Sequence, residues 1–203
     1  MWNSLDRTLV EVLRMTWPMI FISIVLVASV RITYLMKHKE EFVFYKEMLL
    51  LVFMIYILCL FQVVTMGDIN TTGGNNLVPF REILRYDFGG RLFVKNIVGN
   101  VIMFIPYGFF ASMYAHIKKP ISAVLIVSLA SISIEATQLL IGRIFDIDDI
   151  ILNVVGGMVG FCLYLLLDKL ASISPKIFKS KLFLNIVTVM LLVLTIGYII
   201  WRL

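Results

Sequence analysis

The chain contains 203 residues, of which 61% are hydrophobic and 15% are charged, with a formal net charge of +5 and a mean hydropathy of +0.97. Soluble domains carry about 25% charged residues, so this composition excludes a soluble globular protein and indicates an integral membrane protein. A chain of this length suits one compact bundle, and we expect a single membrane domain over residues 1–203.

Six apolar stretches are long enough to cross a hydrocarbon core, which requires about 20 residues in a helix. They predict an all-α, polytopic membrane bundle of about six transmembrane helices. Pro106 lies inside the third stretch and predicts an irregular helix there, because proline removes a backbone hydrogen bond. The stretches are residues 15–36, 48–66, 96–115, 121–141, 150–167 and 182–201.

The longest connection, residues 67–95, lies between the second and third stretches. Residues 70–76 have the composition of a turn or loop. After them, Pro79 and apolar residues interleaved with Arg81 and Arg85 predict a short amphipathic helix in the headgroup region of the membrane. The arginines of this helix either face a binding site or rest on lipid, and the sequence leaves both interpretations open.

Lysine and arginine separate to opposite sides of the predicted bundle. The loops after the first, third and fifth stretches contain nine lysines and one arginine, whereas the other side, with both termini, contains seven arginines and one lysine. Because cytoplasmic loops are rich in basic residues, we predict that the lysine loops are cytoplasmic and that both termini are extracytoplasmic. Arginine suits planar recognition of carboxylate or phosphate, although each outward arginine could equally be solvated at the interface.

Polar residues recur at helical spacing in the third, fourth and fifth stretches. Their positions predict that the three polar faces meet in one pocket in the outer leaflet. Because charge within hydrocarbon is costly and is usually kept where it acts or pairs, Glu135 is the first candidate for function; the alternative is a hydrogen-bond network that only fixes helix packing. The faces contain Asn96 and Asn100; Ser128, Ser131, Glu135, Gln138 and Gly142; and Asp146, Asp149 and Asn153, followed by Gly156 and Gly160.

Four motifs follow one another between residues 75 and 157. They are NNLVPFR (75–81), NIVGNVIMFIPYG (96–108), SIEATQ (133–138) and RIFDIDDIILNVVGG (143–157). In this order they resemble the signature of the VanZ-like membrane proteins, a family named for an accessory protein of teicoplanin resistance. The resemblance covers a core region of residues 77–160. The candidate ligand-binding residues within it are Arg81, Asn96, Asn100, Gln138, Arg143, Asp146 and Asn153, and the candidate catalytic residues are Glu135 and Asp149.

The resemblance implies a multi-pass protein of the bacterial cell membrane that lowers susceptibility to lipoglycopeptide antibiotics. An outward pocket with arginines, amides and an apolar wall suits an amphipathic anionic molecule, which would be a membrane lipid, a lipid-linked envelope precursor or the antibiotic itself. We expect no nucleic-acid partner. The sequence identifies no cofactor and no oligomeric state.

Two other classes of function stay open. An enzyme acting on a lipid-linked envelope precursor would use Glu135 as general base, and Asp146, Asp148 and Asp149 could then hold a divalent cation. We nevertheless predict no metal site, because acids adjacent in sequence are more often a solvated turn or a helix start. A proton-coupled lipid flippase or transporter would use Glu135 as its proton relay, although six helices without a detectable internal repeat argue mildly against it.

Overall fold

A computed structural model describes the backbone of residues 2–65 and 74–202. Side chains are described from residue 17 to residue 195, apart from residues 66–73 and Phe178. The side chains of Arg7, Arg14 and Arg202, which the sequence predicts to lie on the outward side, and the predicted loop residues 67–73 are outside the described residues.

The described residues form six long helices and no β-strand, so the structure confirms the predicted all-α membrane helix bundle. Five helical segments are long and apolar enough to cross a membrane, the first of them being residues Trp17–His38 of α1. The last helix has 22 residues, and its described apolar part is Lys181–Thr195. The helices are α1 (Trp2–His38), α2 (Phe44–Thr65), α3 (Arg91–Tyr114), α4 (Pro120–Leu140), α5 (Ile147–Ile173) and α6 (Lys181–Arg202).

The chain divides into two compact units. The first unit comprises Met1–Leu58 and Lys169–Leu203. In it, the Nε and NH2 groups of Arg31 donate to the two carboxylate oxygens of Glu47 at 2.9 and 3.1 Å. This pairing explains how a charged residue is accommodated in the first apolar stretch. The single domain expected from the chain length stays a prediction.

The second unit, Cys59–Asp168, contains every predicted site residue. In this unit α3 and α5 approach each other closely through glycine. A Cβ atom added to Gly156 would overlap the carbonyl group of Val101, and one added to Gly160 would overlap that of Ile105. Gly156 and Gly160 are four residues apart in the sequence, a small-xxx-small pattern that predicts close packing of two helix backbones, and the structure contains this packing.

Substituting Gly156 with alanine is expected to destabilise the second unit. The new methyl group would meet backbone atoms rather than a movable side chain, and overpacking of this kind costs about 1–3 kcal/mol. Gly74→Ala is the matched control, because among the described residues no atom beyond its chain neighbours lies within 4 Å of the position of its Cβ. Heating series followed by size-exclusion chromatography in detergent would compare the variants. Equal thermal midpoints for both would contradict the close packing of α3 and α5.

Helix α3 is irregular, as expected, but its irregularity lies away from the proline. Residues Val94–Val98 form a π-helical turn between an α-helical turn, Arg91–Phe93, and the main helix, Gly99–Tyr114. Pro106 lies within that main helix. Single π-turns are frequent at functional sites, and this one contains Asn96.

The segment after Pro79, in which the sequence predicts a short amphipathic helix, forms a single 3-10 turn at Ile83–Arg85. The side chain of Leu84 is 82% exposed, and Phe80 and Leu77 are exposed as well. The segment therefore exposes apolar side chains, but it does not form the predicted helix. The backbone N–H groups of Phe80, Glu82 and Ile83 donate to the Asp148 side chain rather than to carbonyl groups within a longer helix.

Candidate functional site

A cavity of about 470 Å³ lies in the second unit. It is enclosed by the end of α2, the segment before α3, the first turns of α3, the last turns of α4 and the start of α5. Eight of the nine predicted site residues line it: Asn96, Asn100, Glu135, Gln138, Arg143, Asp146, Asp149 and Asn153. The ninth, Arg81, is exposed and does not line the cavity.

The end of α4 places Arg143 over the cavity. Gly142 has a φ of +84°, a left-handed conformation that glycine adopts without strain. The Gly142 N–H donates to the Leu139 carbonyl at 3.2 Å, and the Arg143 N–H donates to the Gln138 carbonyl at 2.9 Å. This pair of bonds is the Schellman ending of a helix. It turns the chain back so that the Arg143 side chain lies beside the last turn of α4.

Glu135, Gln138 and Arg143 form a row along one side of the cavity. The Gln138 amide orientation that satisfies both neighbours places its nitrogen 2.8 Å from Glu135 Oε1 and its oxygen 3.0 Å from Arg143 NH1. The opposite orientation would put amide oxygen against carboxylate and amide nitrogen against guanidinium, so the hydrogen-bond network selects the first. Arg143 NH1 also donates to the Val64 carbonyl at 2.5 Å. The Gln138 amide thus bridges the Arg143 guanidinium and the Glu135 carboxylate.

Asn76 and Asp146 connect the loop before α3 to the start of α5. Their backbones form an isolated parallel bridge, and Asn76 Nδ2 donates to Asp146 Oδ1 at 2.8 Å. The Asp146 N–H in turn donates to Glu135 Oε2 at 2.9 Å. Burial raises the pKa of the Asp146 carboxyl, whereas hydrogen bonds from the Asp148 N–H and from Asn76 act in the opposite direction. The buried Glu135 carboxylate is thus fixed by backbone outside its own helix.

Asp148 holds the segment before α3 in place. Its side chain is 1% exposed, and its two oxygens accept the backbone N–H groups of Phe80, Glu82 and Ile83 at 2.5, 2.7 and 3.2 Å. Three backbone donors thus converge on one buried carboxylate. Asp148 therefore has a structural role that the sequence did not reveal.

Asp146, Asp148 and Asp149, which the sequence offers as possible ligands of one divalent cation, do not form a common metal site in the described part of the chain. Asp148 is engaged by backbone donors, and Asp146 accepts the side chain of Asn76. In the part of the chain that the structure describes, no group of three or more His, Cys, Asp or Glu side chains is arranged to hold a metal ion.

Asp148→Asn is expected to loosen the segment before α3. An amide keeps one acceptor oxygen but presents N–H groups to backbone N–H donors, and losing charge-assisted hydrogen bonds of this kind lowers the free energy of unfolding by about 2 kcal/mol. Hydrogen exchange followed by mass spectrometry should show faster exchange at residues 80–83. Asp87→Asn, at an exposed position of the same loop, is the matched control. Unchanged exchange in the Asp148 variant would contradict this role.

The inner wall of the cavity is built from α3, α4 and α5. Asn100 Nδ2 donates to Asp149 Oδ1 at 2.5 Å. Asn153 Nδ2 donates to the Ser131 hydroxyl at 2.9 Å, and Asn153 Oδ1 is buried with no hydrogen-bond partner among the described residues. Asn96 and Tyr86 also line the cavity, and Asn96 Nδ2 donates to the Tyr86 hydroxyl at 2.9 Å.

Residues 47–168 match the family model described as VanZ/LLP1, which covers more than half of the chain. The chain belongs to the VanZ/LLP1 family. The matched region contains the whole lining of the cavity. Comparison with the curated proteins and with the solved structures gives no significant match.

The cavity of this VanZ/LLP1 chain is lined by more acids than bases. Its carboxylates are Glu82, Glu135, Asp146, Asp148 and Asp149, and its cations are Lys95 and Arg143. Most of the wall therefore suits cations and hydrogen-bond donors, and an anionic group would bind beside Lys95 or Arg143.

Several lining residues of the VanZ/LLP1 chain were missed by the sequence analysis. Glu82 and Tyr86 lie in the segment assigned to an interfacial helix, and Lys95 was counted only for topology. One signal points to Tyr86. Asn96, at the start of α3, needs a hydrogen-bond partner once it is removed from water, and Tyr86 is a polar side chain ten residues earlier in the chain. Asn76, which the sequence predicts as part of a turn, does not line the cavity but holds Asp146 there.

Proposed function

We propose that this VanZ/LLP1 protein lowers susceptibility to lipoglycopeptide antibiotics by binding an amphipathic anionic molecule at the outer leaflet of the bacterial membrane. The bound molecule is a membrane lipid, a lipid-linked envelope precursor or the antibiotic itself. The observation that carries the proposal is a half-buried arginine, Arg143, at a polar cavity within a membrane helix bundle.

Arg143 retains unused donors. A guanidinium has five N–H groups, and among the described residues only NH1 is engaged, by Val64 and Gln138. The Nε and NH2 groups can therefore bind two oxygens of a phosphate or carboxylate side by side, which is the geometry that arginine favours. Lys95 lines the same cavity and adds a second positive charge.

The apolar part of such a ligand can remain in the membrane. The outward faces of α3 and α4 expose large apolar side chains, including Ile102, Leu125 and Leu129, as expected for helices in contact with lipid. A ligand whose headgroup enters the cavity while its acyl chain lies along these helices loses little hydrophobic free energy. This arrangement suits a lipid or an acylated drug better than a freely soluble anion.

General-base chemistry at Glu135 has less support than binding. Glu135 accepts one hydrogen bond at each oxygen, from the Asp146 N–H and from Gln138. The described residues that line the cavity include no serine, threonine, cysteine or histidine from which a general base could remove a proton. The enzyme and the proton-coupled transporter therefore stay second candidates, and both predict turnover or transport that a binding protein lacks.

The proposed function is tested by expressing the protein in a susceptible bacterium. We expect a higher minimum inhibitory concentration of an acylated glycopeptide than in cells with the empty vector, and little change for a glycopeptide without an acyl chain. No change for either drug, in cells with the protein inserted in the membrane, would contradict the proposal.

We also propose that the cavity opens to the outside and that Lys119 faces the cytoplasm. The support is the segregation of lysine from arginine between the two sides. In a Cys59→Ala, Cys162→Ala background, a membrane-impermeant thiol reagent should label Asp87→Cys in intact cells and Lys119→Cys only after lysis. Both probe positions are exposed. The reverse labelling pattern would contradict this orientation.

A further inference from the structure

We infer that the inner end of the cavity binds a protonated primary amine, so that the ligand is zwitterionic, with its anionic group at Arg143 and its ammonium at Glu135, Asp149 and Asn153. The inference rests on the proposed function, because it assigns the second half of the same ligand. It goes further in naming the chemical class of the headgroup.

The first observation is the unpaired amide of Asn153. The residue is 4% exposed and lines the cavity. Its Nδ2 donates to Ser131, whereas Oδ1 has no partner among the described residues. Either orientation of this amide leaves one of its polar atoms unpaired, because a serine hydroxyl can donate or accept. Buried polar atoms nearly always have a partner, so this side chain requires one that the described part of the protein does not supply.

The second observation is that Glu135, which is buried, and Asp149, which is half-buried, have no cation in ion-pair contact in the described part of the chain. Asp149 accepts one hydrogen bond, at Oδ1 from Asn100, and its Oδ2 receives none from the described residues. Glu135 accepts one bond at each oxygen, and each carboxylate oxygen can accept two. Buried carboxylates without a counter-charge are costly, so a cationic ligand would stabilise this wall.

The geometry favours an ammonium over a metal ion. An ammonium has three donors and no acceptor, which matches acceptors contributed by Glu135, Asp149 and Asn153. Among the described residues no carboxylate cluster is arranged for a metal. Arg143 and Glu135 stand at opposite ends of the Gln138 amide, so one headgroup whose anion and ammonium are a few bonds apart can contact both.

The test measures lipid binding to the purified full-length protein by native mass spectrometry. The probes are dioctanoyl phosphatidylethanolamine and its N-acetyl derivative, which keeps the phosphate and loses the ammonium. We expect the first to bind at least about tenfold more tightly in the wild type, equivalent to about 1.4 kcal/mol. Asp149→Asn should reduce this preference severalfold, and Asp87→Asn, at an exposed position, should preserve it.

The outcomes separate the inference from the proposed function. Equal affinities of the wild type for the two members of each pair, in the lipid pair and in the lipoglycopeptide pair described next, would overturn the ammonium site while leaving anion binding intact, and this comparison needs no variant to fold. Binding of no member of either pair would overturn both the ammonium site and the proposed function. A lipoglycopeptide and its amine-acetylated form, measured in the same way, distinguish a drug amine from a lipid amine: a preference for the free amine in either pair supports the inference.

Discussion

Glu135→Gln is expected to remove most of the resistance that we propose for the protein, returning the minimum inhibitory concentration of an acylated glycopeptide to within about twofold of the empty vector. Glutamine keeps the size of the side chain and one acceptor oxygen, but it removes the negative charge from a residue that is 1% exposed. A contact between this carboxylate and a ligand cation or donor is charge-assisted, and such contacts are about twice as strong as neutral ones. The measurement is drug susceptibility at matched expression.

Insertion and elution in detergent should stay normal in the Glu135→Gln variant. The Asp146 N–H can still donate to the amide oxygen that replaces Glu135 Oε2, so the connection between α4 and the start of α5 survives. Glu40→Gln is the matched control, because Glu40 lies in the first unit at an exposed position. Full resistance in the Glu135 variant would show that the residue serves packing alone.

Arg143→Ala is expected to lower resistance to a similar degree, because it removes the donors proposed for the ligand anion. Arg143→Lys should retain part of it, since lysine keeps the charge but cannot bind two oxygens in one plane. Susceptibility at matched expression separates the three forms. Arg91→Ala is the control, because Arg91 is exposed and outside the cavity. Wild-type resistance in both Arg143 variants would contradict anion recognition at this residue.

Arg81 provides a further comparison. The sequence predicts that it binds ligand, whereas the structure places it outside the cavity lining. Its role stays a prediction, and Arg81→Ala in the same susceptibility assay is expected to have a smaller effect than Arg143→Ala. An equal effect would mean that the bound molecule extends beyond the cavity toward the loop before α3.

The helices and the polar faces were predictable from local periodicity. Apolar runs define the long helices, and spacing of three and four places Ser131, Glu135 and Gln138 on one buried stripe of α4. The glycines of α5 also predicted a close helix approach, which the structure contains. These features depend on neighbours within one helix, so a single sequence carries them.

The long-range hydrogen bonds that hold the site residues in place were not predictable from local periodicity. Asp148 binds backbone groups 65 to 68 residues earlier in the chain, and Asn76 pairs with Asp146 across 70 residues. No local pattern encodes such pairings. The sequence predicts an irregular α3 because of Pro106, whereas the π-helical turn in the structure lies at Val94–Val98. A proline is only one of several causes of helix irregularity.

The most direct test of the central claim is native mass spectrometry of the protein purified from a bacterial membrane without added lipid. The wild type and Arg91→Ala are expected to retain an anionic amphipathic molecule, identified by fragmentation, and Arg143→Ala is expected to lose it. Release of the same molecule from all three proteins in equal amount, or a wild type that carries none, would contradict binding of an anionic headgroup at Arg143.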